Sequence, residues 1–402
     1  MPDTLLIILF WSCAGVVTFA YACYPVVVWL LARLFGRAPA PPPVESADLP
    51  AVSLLVAAHN EEADIEARIA NALELRYPKG NLEVVIASDG STDRTNEIVG
   101  RYADRDVRLL AYPVNRGKAA VLNAAVPRLH GQVVVLSDAN THMEPDAVWR
   151  LATWFADPSV GVVCGKLILT DSETGRNADG LYWKYETFLK ECEGRLGALV
   201  GCNGAIYAIR KSLYPGGRGK AIIDDFVIPL EARRHSGCRI VFDPEALARE
   251  ETAPNLRAEF RRRARIGAGG LQSMARLWPL LSPAHRWVSF TFLCHKVLRW
   301  LSPFCLVGML IANLLLVGVS GYDYLLAAQG GFYLMAVAGA RVPARPRAFR
   351  VLKLATMFVT MNLALLVGFL GWVTGAQRGT WQRTPRSPAN YATRPRVDAG
   401  AA

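Results

Sequence analysis

LEVVIASDGSTD, residues 82–93, is the stretch that decides the fold. Its first half is a nearly unbroken apolar run centred on Val84, Val85, Ile86 and Ala87, and its second half is a cluster of Asp, Gly, Ser and Thr. A run without polar alternation suits a strand buried on both faces, and the polar cluster is turn and helix-cap chemistry. The same two-part pattern stands upstream in AVSLLVAAHNEE, residues 51–62, and downstream in QVVVLSDAN, residues 132–140. Between these lie residues 61–73, 92–102 and 118–129, with helical spacing of apolar side chains, and a further strand, VRLLAY, at 107–112. Alternating strands and helices predict an α/β domain with a mostly parallel, Rossmann-like sheet covered on both faces. Ligands of such sheets gather at the carboxyl ends of the strands. His59–Glu62, Asp89–Asp93 and Asp138–Asn140 all fall there.

Outward from this block the chain becomes apolar. Residues 5–31 carry no charge, a length that crosses a bilayer. With no basic start and no small-residue cleavage site, residues 1–37 read as a transmembrane anchor and not as a cleaved signal. APAPPPVESADLP, residues 38–50, is a stiff proline-rich linker. The globular domain is expected over 51–276. Residues 277–300, interrupted by His295, Lys296 and Arg299, read as an interfacial amphipathic segment. Residues 301–375 hold the later transmembrane helices: 301–319, a weaker span at 322–340, and 354–373, which either spans or lies in the interface. A basic polar tail occupies 376–402.

Composition supports a membrane protein. Of the 402 residues, 52% are hydrophobic, more than a soluble enzyme of this size carries. The formal net charge is +11, and much of it flanks apolar runs: Arg33 and Arg37 after the first, Arg341, Arg345, Arg347 and Arg350 between two later ones. That placement suits cytoplasmic flanks against anionic membrane lipids. No nucleic-acid-binding module is present, so nucleic acid is not an expected partner. Eight cysteines without CxxC spacing argue against a zinc site or a disulfide framework and for a reducing compartment. The few spans carry no paired intramembrane charges, which speaks against a transporter.

The motifs offer each group that sugar transfer from a nucleotide needs. Asp89 can accept a hydrogen bond from a pyrimidine N–H if Asp93 or Ser91 caps the following helix; in the competing reading both acids are caps. NRGKAAVLN, residues 115–123, places Gly117 and Lys118 at a helix start, where backbone N–H groups and an ammonium favour phosphate. The competing reading is an ordinary loop-to-helix entry. SDAN places Asp138 past a buried strand, where it could hold Mg²⁺ or Mn²⁺ against a diphosphate. In IDD, residues 223–225, Asp225 is the favoured general base and Asp224 the cap. RRRARI, residues 261–266, groups Arg262, Arg263 and Arg265, which suit a diphosphate or a lipid headgroup, or simply a solvated helix face.

Taken in order over residues 52–272, these motifs resemble the membrane-bound family-two glycosyltransferases, the group of cellulose, chitin and hyaluronan synthases and many bacterial exopolysaccharide enzymes. The resemblance implies a GT-A fold, inverting transfer, a nucleoside-diphosphate sugar donor, usually a UDP-sugar, and Mg²⁺ or Mn²⁺. It assigns Asp89 to the uracil and Asp138 with Asn140 to the metal, and it places Glu61 and Lys118 on the donor side. Asn203 and Gly204 of GCNGA fall beside the acceptor, Asp225 becomes the base, and Arg262, Arg263 and Arg265 lie near the diphosphate. Three motifs depart from the family's pattern. DxD reads Asp138-Ala139-Asn140, TED reads Ile223-Asp224-Asp225, and in QxxRW Arg262 replaces Gln and Ile266 replaces Trp. Without that Trp the expectation is addition of one or a few sugars to a lipid-linked or oligosaccharide acceptor for envelope polysaccharide. The catalytic domain would face the cytoplasm from a multi-pass inner-membrane protein, with membrane lipids and a polysaccharide-synthesis complex as expected partners. The competing reading is a catalytically silent nucleotide-sugar-binding subunit of such a complex.

Overall fold

The computed structural model describes residues 2–170, 180–216, 221–251, 256–342 and 350–375. The basic residues Arg345 and Arg347 and the tail at 376–402 lie outside the described residues. The chain divides into two compact units. One consists of Met1–Leu31 and Leu256–Arg378, the other of Ala32–Asn255.

The second unit is built on an eight-stranded sheet. Its strands are β1 (Val52–Ala58), β2 (Leu82–Asp89), β3 (Val107–Tyr112), β4 (Val133–Asp138), β5 (His142–Met143), β6 (Val160–Thr170), β7 (Tyr207–Arg210) and β8 (Arg239–Glu251), in the order β3-β2-β1-β4-β7-β6-β8-β5. The first four pair in parallel, as their unbroken apolar runs predict. β7 runs antiparallel to both β4 and β6, β6 and β8 are parallel, and β5 is antiparallel to β8, so the sheet is mixed. All seven residues of β1 are buried. Leu54, Leu55 and Val56 are fully enclosed, each side chain contributing about 1.5–3 kcal/mol by leaving water.

Register places the functional strand ends. Ala58 of β1 pairs with Ser88, and Ala57 pairs with Asp138. Asp89 and Asp138 therefore flank the carboxyl end of β1, with that one strand between them and about 10 Å between their strands. β2 and β3 follow on one side of β1, and the chain then crosses to place β4 on the other, so the strand order reverses at β1, the kind of crevice where open α/β sheets bind ligands.

Among the described residues three helices are long and apolar enough to cross a membrane: Asp3–Leu34, Trp287–Leu315 and Val351–Val373. The weaker expected span is a helix at Tyr322–Arg341 but is not among these three; Asp323, Gln329 and the Gly330–Gly331 pair dilute its hydropathy. Helix runs from Trp287 through to Leu315, with a π-helical turn at Phe292–Val297, where the sequence reading separates an interfacial part from a span at residue 301. Helix Leu256–Leu277, expected with the globular domain, clusters instead with the membrane helices. It packs so closely on helix Arg350–Val373 that a Cβ on Gly368 would lie 2.1 Å from the Ala264 carbonyl oxygen.

Candidate active site

The turns after β1 and β2 are stitched together. Asn60 Oδ1 accepts from the Thr92 N–H at 2.8 Å, the Glu62 N–H donates to Asp93 Oδ2 at 3.1 Å, and the buried Glu61 donates its N–H to Thr95 Oγ1 at 2.8 Å. Asp93 Oδ1 also accepts from the Thr95 N–H at 3.0 Å, the capping role expected of it.

Asp89 behaves differently from the expectation that it stays available to a ligand. It is fully buried, and both its oxygens accept backbone N–H groups: Oδ1 from Arg116 at 2.8 Å and Oδ2 from Gly117 at 2.7 Å. The cause is the close seating of the loop before helix Lys118–Ala125. A Cβ at Gly90, whose φ is +65°, would lie 2.4 Å from the Asn115 nitrogen, so only glycine lets that loop down onto β2. His59 closes the arrangement. Its Nδ1 lies 2.7 Å from the Asp89 carbonyl oxygen, which only accepts, so Nδ1 carries the proton; Nε2 then accepts from Asn115 Nδ2 at 3.0 Å.

One residue further on, Lys118 joins the rest of the site. Its Nζ lies 2.5 Å from Asp138 Oδ1 and 3.6 Å from Asp224 Oδ2. Burial works against its charge, but Asp138, Asp224 and Asp225 outweigh that and hold its pKa above the usual lysine range. Asp224 and Asp225 open helix Asp224–Ser236. Asp224, expected as the cap, is the first helical residue, with Ile223 at the N-cap, and is the second carboxylate on Lys118.

GCNGA meets Asp225 directly. The Gly204 N–H donates to Asp225 Oδ2 at 3.1 Å, and the Cys202 N–H donates to the Asp225 carbonyl at 3.1 Å. Burial pushes the Asp225 carboxyl up to about 6; Asp224 and Asp138 add to this, and Lys118 and Lys190 oppose it. Asn203 is engaged within the fold, donating from Nδ2 to the Gly165 carbonyl at 2.7 Å and accepting from Lys190 Nζ. Lys190 went unmarked in the sequence, being one lysine in the amphipathic helix Leu181–Arg195.

Thus Asp89, Lys118, Asp138, Asn203, Gly204 and Asp225 belong to one connected constellation in the sheet unit. Arg262, Arg263 and Arg265 belong to the helical unit. There Arg262 Nε and Arg263 Nε clasp Glu259 at 3.0 and 2.6 Å, and Arg265 is exposed.

The donors for a cation are hard oxygens. Among the described residues no group of three or more His, Cys, Asp or Glu side chains is placed to hold a metal alone. A divalent ion of the magnesium type takes one or two carboxylates and completes its shell with substrate phosphate and water. The carboxylate of Asp138 and the carboxamide oxygen of Asn140 are the oxygens of this segment that would suit such a site; the buried Asn140 Nδ2 has no hydrogen-bond partner, so hydrogen bonds from that nitrogen do not fix the amide.

Comparison with known proteins bears on the family and the fold. Residues 53–214 match the family described as Glycosyl transferase family 2. The chain is 30% identical over 306 residues to an N-acetylglucosaminyltransferase of Rhizobium meliloti, covering 70% of this chain and 66% of that protein. It is 26% identical over 255 residues to the poly-beta-1,6-N-acetyl-D-glucosamine synthase of Staphylococcus aureus, covering 58% of each. The chain spans 56–66% of the length of these and similar curated relatives. In structure it resembles the mannosyltransferase PcManGT from Pyrobaculum calidifontis, solved with GDP-Man and Mn²⁺, with a TM-score of 0.70 at 21% identity, covering 94% of this chain and 100% of that one. The fold is therefore GT-A-like.

Proposed function

The chain belongs to glycosyl transferase family 2, and we propose that it moves one sugar, with inversion, from a UDP-sugar to a lipid-linked or oligosaccharide acceptor of envelope polysaccharide synthesis. The observation that carries this reading is the junction of Lys118, Asp138 and Asp225. An acid lifted to about 6 is ionised at neutral pH yet basic enough to take a proton, which is what a general base requires. Asp225 takes the proton of the acceptor hydroxyl as its oxygen bonds to the anomeric carbon, and the bond from that carbon to the diphosphate breaks. The Gly204 N–H aims the carboxylate during this step. Lys118 offers its ammonium to the departing diphosphate, and Asp138 sets where that ammonium sits. Asp138 and Asn140 would hold Mg²⁺ or Mn²⁺, which supplies further neutralisation of the leaving group. In this reading the sheet unit works at the cytoplasmic face of the inner membrane, anchored by the apolar helices.

The test is a panel of UDP- and GDP-sugars offered to the detergent-solubilised protein with and without Mn²⁺. Transfer or slow hydrolysis of a UDP-sugar is expected, stimulated by Mn²⁺. Turnover confined to GDP-sugars would overturn the assignment of the nucleotide. Nucleotide binding with no turnover of any sugar, across a range of lipid and oligosaccharide acceptors, would overturn the transfer itself.

A further inference from the structure

Among the described residues Arg68 is the largest fully enclosed side chain, 2% exposed, on helix Ile65–Leu73 beneath the carboxyl end of β4. The sequence gives it no role: within IEARIANAL it reads as a solvent-facing arginine. Its hydrogen bonds run instead to the segment that carries the donor-side residues. Nη2 donates to Ser137 Oγ at 3.2 Å and approaches Met143 Sδ at 3.8 Å, and Nη1 donates to Asn71 Oδ1 at 3.0 Å. Asn71, one turn along the same helix, holds both backbone groups of Met143, accepting from its N–H at 2.9 Å and donating to its carbonyl at 2.8 Å. The turn from Asp138 to Met143 is therefore gripped at both ends from one helix, by Arg68 beside Asp138 and by Asn71 at Met143.

The guanidinium is poorly compensated for so deep a group. Among the described residues no carboxylate lies within ion-pair distance of it, and its Nε has no hydrogen-bond partner. Burial pulls its pKa down to about 10, opposed by the charge of Asp138, so it stays protonated at neutral pH. Such a buried, unpaired cation is a poor way to stabilise a core, and an apolar residue of similar length serves folding as well or better. Its placement makes sense if its charge is used.

We propose that Arg68 is a positioning residue for Asp138, fixing the turn that carries Asp138 and Asn140 and setting a permanent positive charge behind the donor's diphosphate. The proposal rests on the donor reading above. Arg68 touches no reacting atom; it acts through Ser137 and through the field it projects past Asp138.

The test titrates UDP calorimetrically into the full-length, detergent-solubilised protein, its Arg68→Met and Arg68→Lys variants, with and without Mn²⁺, alongside thermal unfolding and steady-state kinetics. Arg68→Met is expected to unfold at or above the wild-type temperature. It should nonetheless bind UDP about tenfold more weakly in both conditions, with the donor KM raised about tenfold and kcat within about threefold. Arg68→Lys, which keeps the charge, should stay within about threefold of wild type. Equal UDP affinity in wild type and a folded Arg68→Met overturns the proposal while leaving the donor reading intact. If Arg68→Met does not fold, a folded Arg68→Lys that loses about tenfold in affinity overturns the role of the charge. Failure of the wild type itself to bind UDP overturns the donor reading, and the Arg68 proposal with it.

Discussion

The two sides of the site hold their acids in opposite ways. At the strand ends, Asp89 is satisfied: two backbone N–H groups meet its two oxygens, and it acts as a clasp for the loop that delivers Lys118. At the start of helix Asp224–Ser236, two acids lie beside a third, Asp138, and share chiefly one ammonium. Burial lifts the Asp225 carboxyl to about 6, and the neighbouring acids add to the rise. A carboxylate supplied with donors becomes part of the scaffold, whereas one short of donors becomes a group able to exchange a proton.

Removing the proton acceptor should break this contrast most severely. Asp225→Asn is expected to lower kcat by about 10²–10⁴ with UDP binding preserved, the usual worth of a positioned base. Kinetics and calorimetry on one preparation measure both. Retained transfer would refute the assignment of the base. Next in size is Lys118→Met. With its shared cation gone, Asp225 should titrate higher, and with the ammonium also lost to the departing diphosphate the rate at pH 7 should fall about 10–100-fold. Recovery of part of that rate at higher pH separates this effect from a loss of folding.

Asp89→Ala tests the clasp. It takes the acceptor from the Arg116 N–H and leaves the Gly117 N–H only its longer bond to Asn115 Oδ1 at 3.2 Å, at a cost of about 1–3 kcal/mol in stability. The donor KM should rise while the acidic limb of the rate profile stays in place. A shift of that limb would show that Asp89 belongs to the titrating side after all.

The fold was legible wherever burial leaves a simple pattern. β1 to β4 are enclosed on both faces, so they read as continuous apolar runs, and each begins within one residue of where its run begins. The other half of the sheet gave no such signal. β5 has two residues, β7 has four, and β8 mixes Asp, Glu and Arg into thirteen. The site was legible as residue types: Asp138, Lys118, Gly204 and Asp225 all stand in motifs. Their pairings were not, because a lysine at a helix start announces affinity for any anion, and the anions it meets lie on β4 and on a distant helix. Asp224 read as a cap because acids at a helix start ordinarily are caps. Arg68 and Asn71 were invisible because helical periodicity cannot tell a polar residue facing water from one buried under a strand end.

The smallest expected effect concerns stability. Because Asp225 titrates higher in the folded protein than the ordinary aspartate value of 3.8, the unfolded chain ionises first as pH rises. Its contribution to stability is complete below the ordinary value and is lost as pH climbs towards about 6. Asp225→Asn should therefore unfold at a higher temperature than wild type at pH 7, by on the order of 1–3 kcal/mol, with the difference vanishing at acid pH.

The pH dependence of kcat/KM for sugar transfer, followed from about pH 5 to 8 with donor and acceptor below saturation, questions the base most directly, because that ratio reports the ionisations of the free enzyme. The account predicts a rate that rises with pH through a single ionisation near 6 and then levels. A rate independent of pH across that interval would contradict it.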